Sequence, residues 1–352
     1  MGGMVVSRSA FWLVVLVACA ALVSALVRPA AAGSDEPQPG GPRRAARRGH
    51  EVRDVAVAKD GSIYVLDRRA DEVIKLDKDG NLLWRTSLAL DDGTASNAYR
   101  MVLATREPWN VYVLSVGAGV RDVSTSGALT RVFPSYGGYT DRIVGMDGEG
   151  RLYFPNKEKN RVERYREAVN VEAERSEDAA GTFVELPDPG IFSSDGSAYA
   201  CGLVIDGSAQ GLAHFGRPHR VDVDSAGGRI WILDQSYTYN VFDGSGRFLY
   251  EIKAPDKKNR SFTAVTDAEF DPEGNVYVGC TETRRVLKYD PNGKLVKTIP
   301  TGVTGGGFGL GPDGSLYIGS ERQRAALQEC YIKVLDRSGW LVRTIGIPEE
   351  QR

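Results

Sequence analysis

A chain of 352 residues that is 42% hydrophobic and 26% charged can bury a sizeable core, and its formal net charge of -2 gives no global electrostatic reason to expect nucleic acid as a partner. Its 41 glycines, against 3 histidines and 4 methionines, recur in Asp-Gly, Asn-Gly and Ser-Gly pairs, so the chain is crowded with tight turns, as an all-β protein requires. Four cysteines without metal-type spacing exclude a disulfide-stapled scaffold.

Residues 11–27 (FWLVVLVACAALVSALV) form an uncharged apolar run between Arg8 and Arg28, and Ala30-x-Ala32 has the spacing of a signal-peptidase site. Residues 1–32 are therefore expected to act as a cleaved export signal or an uncleaved membrane anchor. Leu16-Val17-Ala18-Cys19 also resembles a lipobox, although the apolar run continues past Cys19. Arg28, Arg43, Arg44, Arg47 and Arg48 follow the run and only Arg8 precedes it, which would hold that basic side in the cytoplasm. Large domains are often translocated regardless of such charge, and the cleavage-like site favours export. The expected location is extracytoplasmic: secreted, periplasmic or membrane-anchored through residues 11–27. Residues 33–50 are rich in Pro, Gly and Arg, have nothing to bury and read as a flexible tether that ends on His50. The tether arginines could touch anionic lipid or cell-wall polymer, but a solvated linker explains them as well.

From residue 51 one unit recurs. Its first copy predicts four short strands, over 54–58, 62–67, 72–77 and 82–86, separated by turns at Asp60-Gly61 and Asp79-Gly80-Asn81. A glycine three residues before an aromatic marks the second strand: Gly61/Tyr64, Gly150/Tyr153, Gly228/Trp231, Gly274/Tyr277 and Gly314/Tyr317, with Tyr112 in a copy that lacks the glycine. A turn glycine marks the fourth strand: Gly80, Gly127, Gly246, Gly293 and Gly339. Such four-stranded sheets cannot bury both faces alone, whereas a ring of them can, so the fold class is all-β: a six-bladed β-propeller of four-stranded antiparallel blades. The aromatics are expected in the core between blades. The spacing breaks between Tyr153 and Trp231, where residues 167–215 read as an insertion in the third blade. Asp195-Gly196-Ser197-Ala198-Tyr199 copies the marker spacing there, which keeps seven blades as the alternative.

The strings RPHRVDVDSAGGRIWILDQSYTYNVFDGSGRFLYEI and DAEFDPEGNVYVGCTETRRVLKYDPNGKLVKTI resemble the NHL repeat family, within the TolB-like propellers. The resemblance spans residues 51–347 and implies six blades, with residues 51–352 as one propeller domain. It implies no single function, because this repeat serves many unrelated proteins.

Ligands of propellers usually sit at an axial concavity, so the position just before each first strand is informative. With gaps aligned it holds Arg53, Arg100, Arg142 and Arg220, then Thr266 and Gly306. Four arginines in equivalent slots would ring one mouth of the channel and focus positive potential on an anion: a carboxylate, a phosphate, or an acidic glycan or protein loop. The competing explanation is local pairing with Asp54, Asp141 and Asp222. His219, in Arg217-Pro218-His219, resembles one ligand of the peptide-amidating lyases, but that histidine does not recur in other blades. Asn156, Asp67 and Asp234 could serve a lactonase-like metal site, although turn-capping explains Asp67 and Asp234 more simply. No Ser-His-Asp order and no phosphate loop can be read. The expected function is therefore a non-catalytic binding or scaffolding propeller for a protein or an anionic small molecule or glycan. No cofactor and no metal are expected in this reading. A metal-dependent lyase or lactonase with a divalent ion in the channel is the alternative. Cys280 and Cys330 are expected to be spatial neighbours.

Overall fold

The computed structural model describes residues 50–348, apart from 91–92, 94, 105–109, 116–118, 134–144, 169–175, 178–182, 185–190, 193–197, 208, 213–214, 225–227, 254–261, 263–264, 281–282, 304–305 and 321–330. Alternating Val, Ile, Leu and Tyr between tight turns make every described element a strand. The first blade contains β1 (Val52–Val57), β2 (Ile63–Asp67), β3 (Glu72–Leu76) and β4 (Leu82–Ser87). The second contains β5 (Ala98–Leu103), β6 (Val111–Ser115), β7 (Gly119–Val123) and β8 (Leu129–Phe133). In the third, β9 (Gly145–Met146), β10 (Leu152–Asn156) and β11 (Arg161–Ala168) are followed by β12 (Ser176–Glu177), β13 (Phe183–Val184), β14 (Ile191–Phe192) and β15 (Ala198–Asp206). The fourth has β16 (Arg220–Asp224), β17 (Arg229–Leu233), β18 (Thr238–Phe242) and β19 (Phe248–Lys253). The fifth has β20 (Val265–Phe270), β21 (Val276–Cys280), β22 (Arg285–Tyr289) and β23 (Leu295–Pro300). The sixth has β24 (Phe308–Leu310), β25 (Leu316–Gly319), β26 (Tyr331–Leu335) and β27 (Leu341–Gly346).

Five blades pair their strands in simple chain order and antiparallel. The third runs β14-β15-β11-β10-β9, so its fourth strand is β15, drawn from inside the stretch that reads as an insertion. Residues 198–199, whose spacing mimics a new blade, belong to that strand and open no seventh blade. The insertion proper therefore leaves between β11 and β15 and carries the small β12-β13 ribbon.

Each neighbouring pair of blades shares one apolar cluster, and the marker aromatics sit inside them: Tyr64 between blades one and two, Tyr153 between three and four, Trp231 between four and five, and Tyr277 between five and six. The outer turn glycine is needed twice. Gly80 has φ +95°, and a Cβ there would stand 2.7 Å from Ile345 Cγ2 of the last blade. A side chain would therefore be strained and would collide. Four of these turns are also tied by an aspartate three residues before the glycine, as when Asp77 Oδ1 accepts from Asp79 N and Asn81 N. Ser124 takes that place before Gly127, its Oγ accepting from Ala128 N.

Ring closure uses no exchanged strand, because blade one is entirely β1–β4 and blade six entirely β24–β27. Glycines let the backbones touch instead. A Cβ on Gly309 would lie 2.7 Å from Val55 O, and Gly307 N donates to Arg53 O at 2.6 Å. The Arg85 guanidinium, which donates to Pro348 O, adds a second tie across this seam.

Candidate functional site

The first strands form the inner wall, with β1 beside β24 and β5, and β16 beside β9 and β20. Register decides which of their side chains meet. In β1 a bulge at Arg53 separates the pairs Val52↔Asp67 and Asp54↔Leu66; β5 bulges likewise at Tyr99 and β20 at Thr266, while β16 pairs Arg220 with Leu233 and has no bulge. The equivalent slot, opposite the residue two after the marker aromatic, therefore holds Asp54, Arg100, Arg220 and Asp267, with Gly307 in blade six. This corrects the alignment of Arg53 with Thr266 and Gly306. The bulge adds one residue, so Arg53 and Thr266 lie in it and the slot carries both signs of charge.

These side chains meet across the axis. Arg100, from blade two, ion-pairs with Asp222 of blade four, donates to Ala268 O of blade five at 2.9 Å and lies 3.2 Å from Asp267 Oδ1. Arg220 grips Asp222 with two bonds, Nε to Oδ2 at 2.7 Å and Nη2 to Oδ1 at 2.8 Å. It also donates to Thr266 O at 2.9 Å and reaches Asp267 Oδ1 at 3.2 Å. Tyr239 OH adds a bond to Asp222 Oδ2 at 2.9 Å. Asp54 ties blades one and two, accepting from Val55 N at 2.9 Å and Met101 N at 2.6 Å. Arg100, Arg220, Asp54, Asp222 and Asp267 are all buried, so the axis at this level is filled with ion pairs.

The electrostatics follow. Burial disfavours the charge of Asp222, but Arg220 and Arg100 outweigh it and hold the carboxyl below its ordinary value. Burial also opposes the charge of Arg100, and Asp267 and Asp222 outweigh it in turn. For Asp54 and Glu269, burial and then the nearby Asp267 push the carboxyls well above the usual range. Asp267 Oδ2 has no hydrogen-bond partner among the described residues, and both it and Asp54 Oδ1 face the point where a Gly307 Cβ would stand, at 3.1 and 2.0 Å.

A pH prediction comes from this excess of carboxylates. Asp54 and Glu269 bind protons more tightly in the folded than in the unfolded state, so folding takes up protons. Stability should therefore fall as pH rises from the ordinary carboxylate range towards their raised values. Asp222 and Asp67 act oppositely: their stabilisation is present above the ordinary value and is lost as pH falls below it. Replacing Glu269 with Gln should flatten the decline on the alkaline side in urea unfolding at stepped pH; an unchanged slope would put the proton uptake elsewhere.

The other sequence-derived residues fall as follows. Arg53 is half-buried in the bulge and makes contacts of its own. Arg142 lies outside the described residues, as do Asp141, His214 and Cys330. His219 is half-buried beside Tyr237, with ring centroids 6.4 Å apart; burial, Lys157 and Arg220 lower its pKa and favour the neutral ring. Asp234 caps its turn through Ser236 N at 2.8 Å and holds Asn240 Nδ2 at 3.1 Å, and Asn156 accepts from Lys159 N at 3.0 Å. Asp67 Oδ1 accepts from Glu51 N, Arg69 N and Ala70 N. Cys201 and Cys280 are buried thiols, which burial pushes up to about 11 and about 12.

No protein-family model and no curated protein matches this chain. Among solved structures it is similar to a catalytically inactive virginiamycin B lyase from Staphylococcus aureus with quinupristin, at 11% identity and a TM-score of 0.48 over 86% of each chain. A streptogramin B lyase gives 11% and 0.48, covering 78% of this chain and 91% of that one. The selenomethionine-substituted virginiamycin B lyase from Staphylococcus aureus gives 13% and 0.48 over 87% of each. Likeness at this level concerns the fold and carries no residue across. The six-bladed propeller rests on the blades described above.

Proposed function

We propose that this chain is an NHL-type propeller that works outside the cytoplasm as a non-catalytic binding or scaffolding domain for a protein partner. The observation that carries this reading is the filled axis. Where ligands of propellers usually sit, the guanidiniums of Arg100 and Arg220 are spent on Asp222, Asp267 and main-chain carbonyls. An anion at that mouth would have to break buried ion pairs to gain new ones, so an anionic small molecule or glycan loses the support of the arginine alignment.

The outer rim supports a protein partner instead. In five of the six blades the fourth strand opens with a large apolar residue. Two or more such residues are exposed on three consecutive blades, Leu295 and Val296 on β23, Trp340 to Val342 at β27, and Leu82 and Leu83 on β4, against one each on β8 (Leu129) and β19 (Leu249). Trp340 is 75% exposed and Val342 61%. Lys297 donating to Arg337 O and Ser338 O, and Arg343 donating to Lys78 O at 2.6 Å, hold these three edges side by side. A contiguous apolar arc with a tryptophan at its centre, rimmed by lysine and arginine, has the make-up of a protein-binding surface.

A photo-activated cross-linker placed at residue 340 in the native host should capture a partner that the same group at Arg247, an equally exposed rim position on blade four, does not. Equal capture at both positions would remove the rim from the proposal. Metal-dependent turnover of a lactone by the purified protein would overturn the non-catalytic reading and favour the lyase or lactonase alternative.

A further inference from the structure

Away from the axis, a second cluster lies where the polypeptide enters the first blade. Asp67 ends β2 and Glu72 begins β3, and the two are register partners across the hairpin, so their side chains leave the same side of the sheet. The segment before β1 folds back over this hairpin end: Glu51 N donates to Asp67 Oδ1 at 3.0 Å, and Arg68 N donates to Glu51 O at 3.0 Å. That places His50 on the carboxylates, with Nδ1 2.5 Å from Asp67 Oδ2. His50 therefore belongs to the propeller and not to the tether, which corrects the boundary drawn from composition alone. One ligand atom from each of His50, Asp67 and Glu72 lies within 4.8 Å of the other two.

We propose that His50, Asp67 and Glu72 form a site for a divalent transition metal of the zinc type, which staples the start of the propeller to the first hairpin. The donor set carries the choice of ion. One imidazole nitrogen with two carboxylate oxygens suits zinc and its neighbours, whereas magnesium and calcium prefer all-oxygen sets. Three protein ligands leave a fourth position for water. The surrounding bonds already orient the ligands. Three main-chain N–H groups hold Asp67 Oδ1 and so aim Oδ2 at the site, and Asp67 is fully buried while His50 and Glu72 are mostly so. Arg85 Nη1 takes one Glu72 oxygen at 2.6 Å, leaving the other for the ion.

Binding requires a short rearrangement. Two ligands about 2.0–2.2 Å from a tetrahedral zinc stand roughly 3.3–3.6 Å apart. The His50–Asp67 contact of 2.5 Å must therefore open to admit the ion while Glu72, already within 4.8 Å, settles to that spacing. Any proton on His50 Nδ1 leaves for solvent as the metal–nitrogen bond forms, and no redox step is involved. Arg85 beside Glu72 opposes a second positive charge, so the site is expected to be weaker than a structural zinc site with four ligands. It is distinct from a channel metal of the lyase or lactonase kind, because no residue of the filled axis takes part.

The test is calorimetric titration of the chelator-stripped full-length protein with zinc chloride. One equivalent should bind, and both His50→Ala and Glu72→Gln should weaken it by ~10-fold or more, while zinc raises the melting temperature of the unaltered protein and not of His50→Ala. His50 precedes the first strand, so its substitution leaves the blades to fold, which circular dichroism checks. No binding by the stripped protein, or affinity unchanged in both variants, would overturn the proposal. So would zinc binding that survives both changes but is lost in Glu269→Gln, which would place the ion on the axis.

Discussion

Replacing Trp231 with Ala should lower the unfolding free energy by about 3–5 kcal/mol, the usual cost of truncating a fully packed aromatic. Trp231 stands at the centre of β17 and is 1% exposed. Its ring meets Tyr239 and Tyr250 of its own blade and Phe270 of the next, edge-on, at 5.8, 6.2 and 5.9 Å. The cavity left by alanine would open in the interface between blades four and five, and sheets on both sides are too well braced to collapse into it. The indole Nε1 has no hydrogen-bond partner among the described residues, so the loss is one of packing. Trp231→Phe should consequently recover much of it. Urea unfolding measures both, and a loss below about 1 kcal/mol for alanine would mean that this aromatic does not hold the blades together.

Asp222→Asn should cost a similar amount, about 3–5 kcal/mol, for a different reason. The Asp222 carboxylate compensates two buried guanidiniums at once and also accepts from Tyr239 OH. An amide of the same shape keeps the volume and removes the charge, leaving Arg100 and Arg220 to share Asp267. Removing one partner of a buried pair exposes the desolvation cost of the other, and here two cations are left with one carboxylate between them. Since the cluster is sealed from solvent, the loss should persist at 0.5 M salt, unlike that of a surface pair, where screening acts over roughly 8–10 Å at ordinary ionic strength. A loss that vanished with salt would argue for an open, hydrated mouth.

The blades could be read in the sequence because their signals are local. Alternating apolar residues, the Gly-x-x-aromatic spacing and the glycine before each outer strand all act within a hairpin, and the described strands start and stop within about two residues of the expected positions in blade one. The third blade was harder because its fourth strand, β15, returns after a long excursion, and strand pairing across such a gap leaves no periodic mark between. The axis was only half legible. Alignment picks out Arg100 and Arg220, yet a one-residue bulge at Arg53 and Thr266 hides the fact that Asp54 and Asp267 occupy the matching slots. The aligned strings VRDVAV and VTDAEF, read with the bulge allowed, would have put those two aspartates together. Nothing local could show that an arginine from blade two ends on carboxylates of blades four and five. The place of His50 is hidden for the same reason: its contact with Asp67 depends on how residues 50–51 fold back over the hairpin, not on composition.

The account stands on charges from separate blades meeting at the axis, and a double-mutant cycle between Arg100 and Asp222 tests that meeting directly. The two residues are 122 positions apart in sequence, in blades that are not neighbours in chain order. Arg100→Met, Asp222→Asn and the double variant would each be unfolded in urea at pH 7. If the ion pair exists, the double variant should be more stable than the sum of the single losses predicts, by at least about 1 kcal/mol, because removing the second partner relieves a charge already stranded. Losses that add to within about 0.5 kcal/mol would show that Arg100 and Asp222 do not touch, and the filled axis, with the non-catalytic reading built on it, would fall.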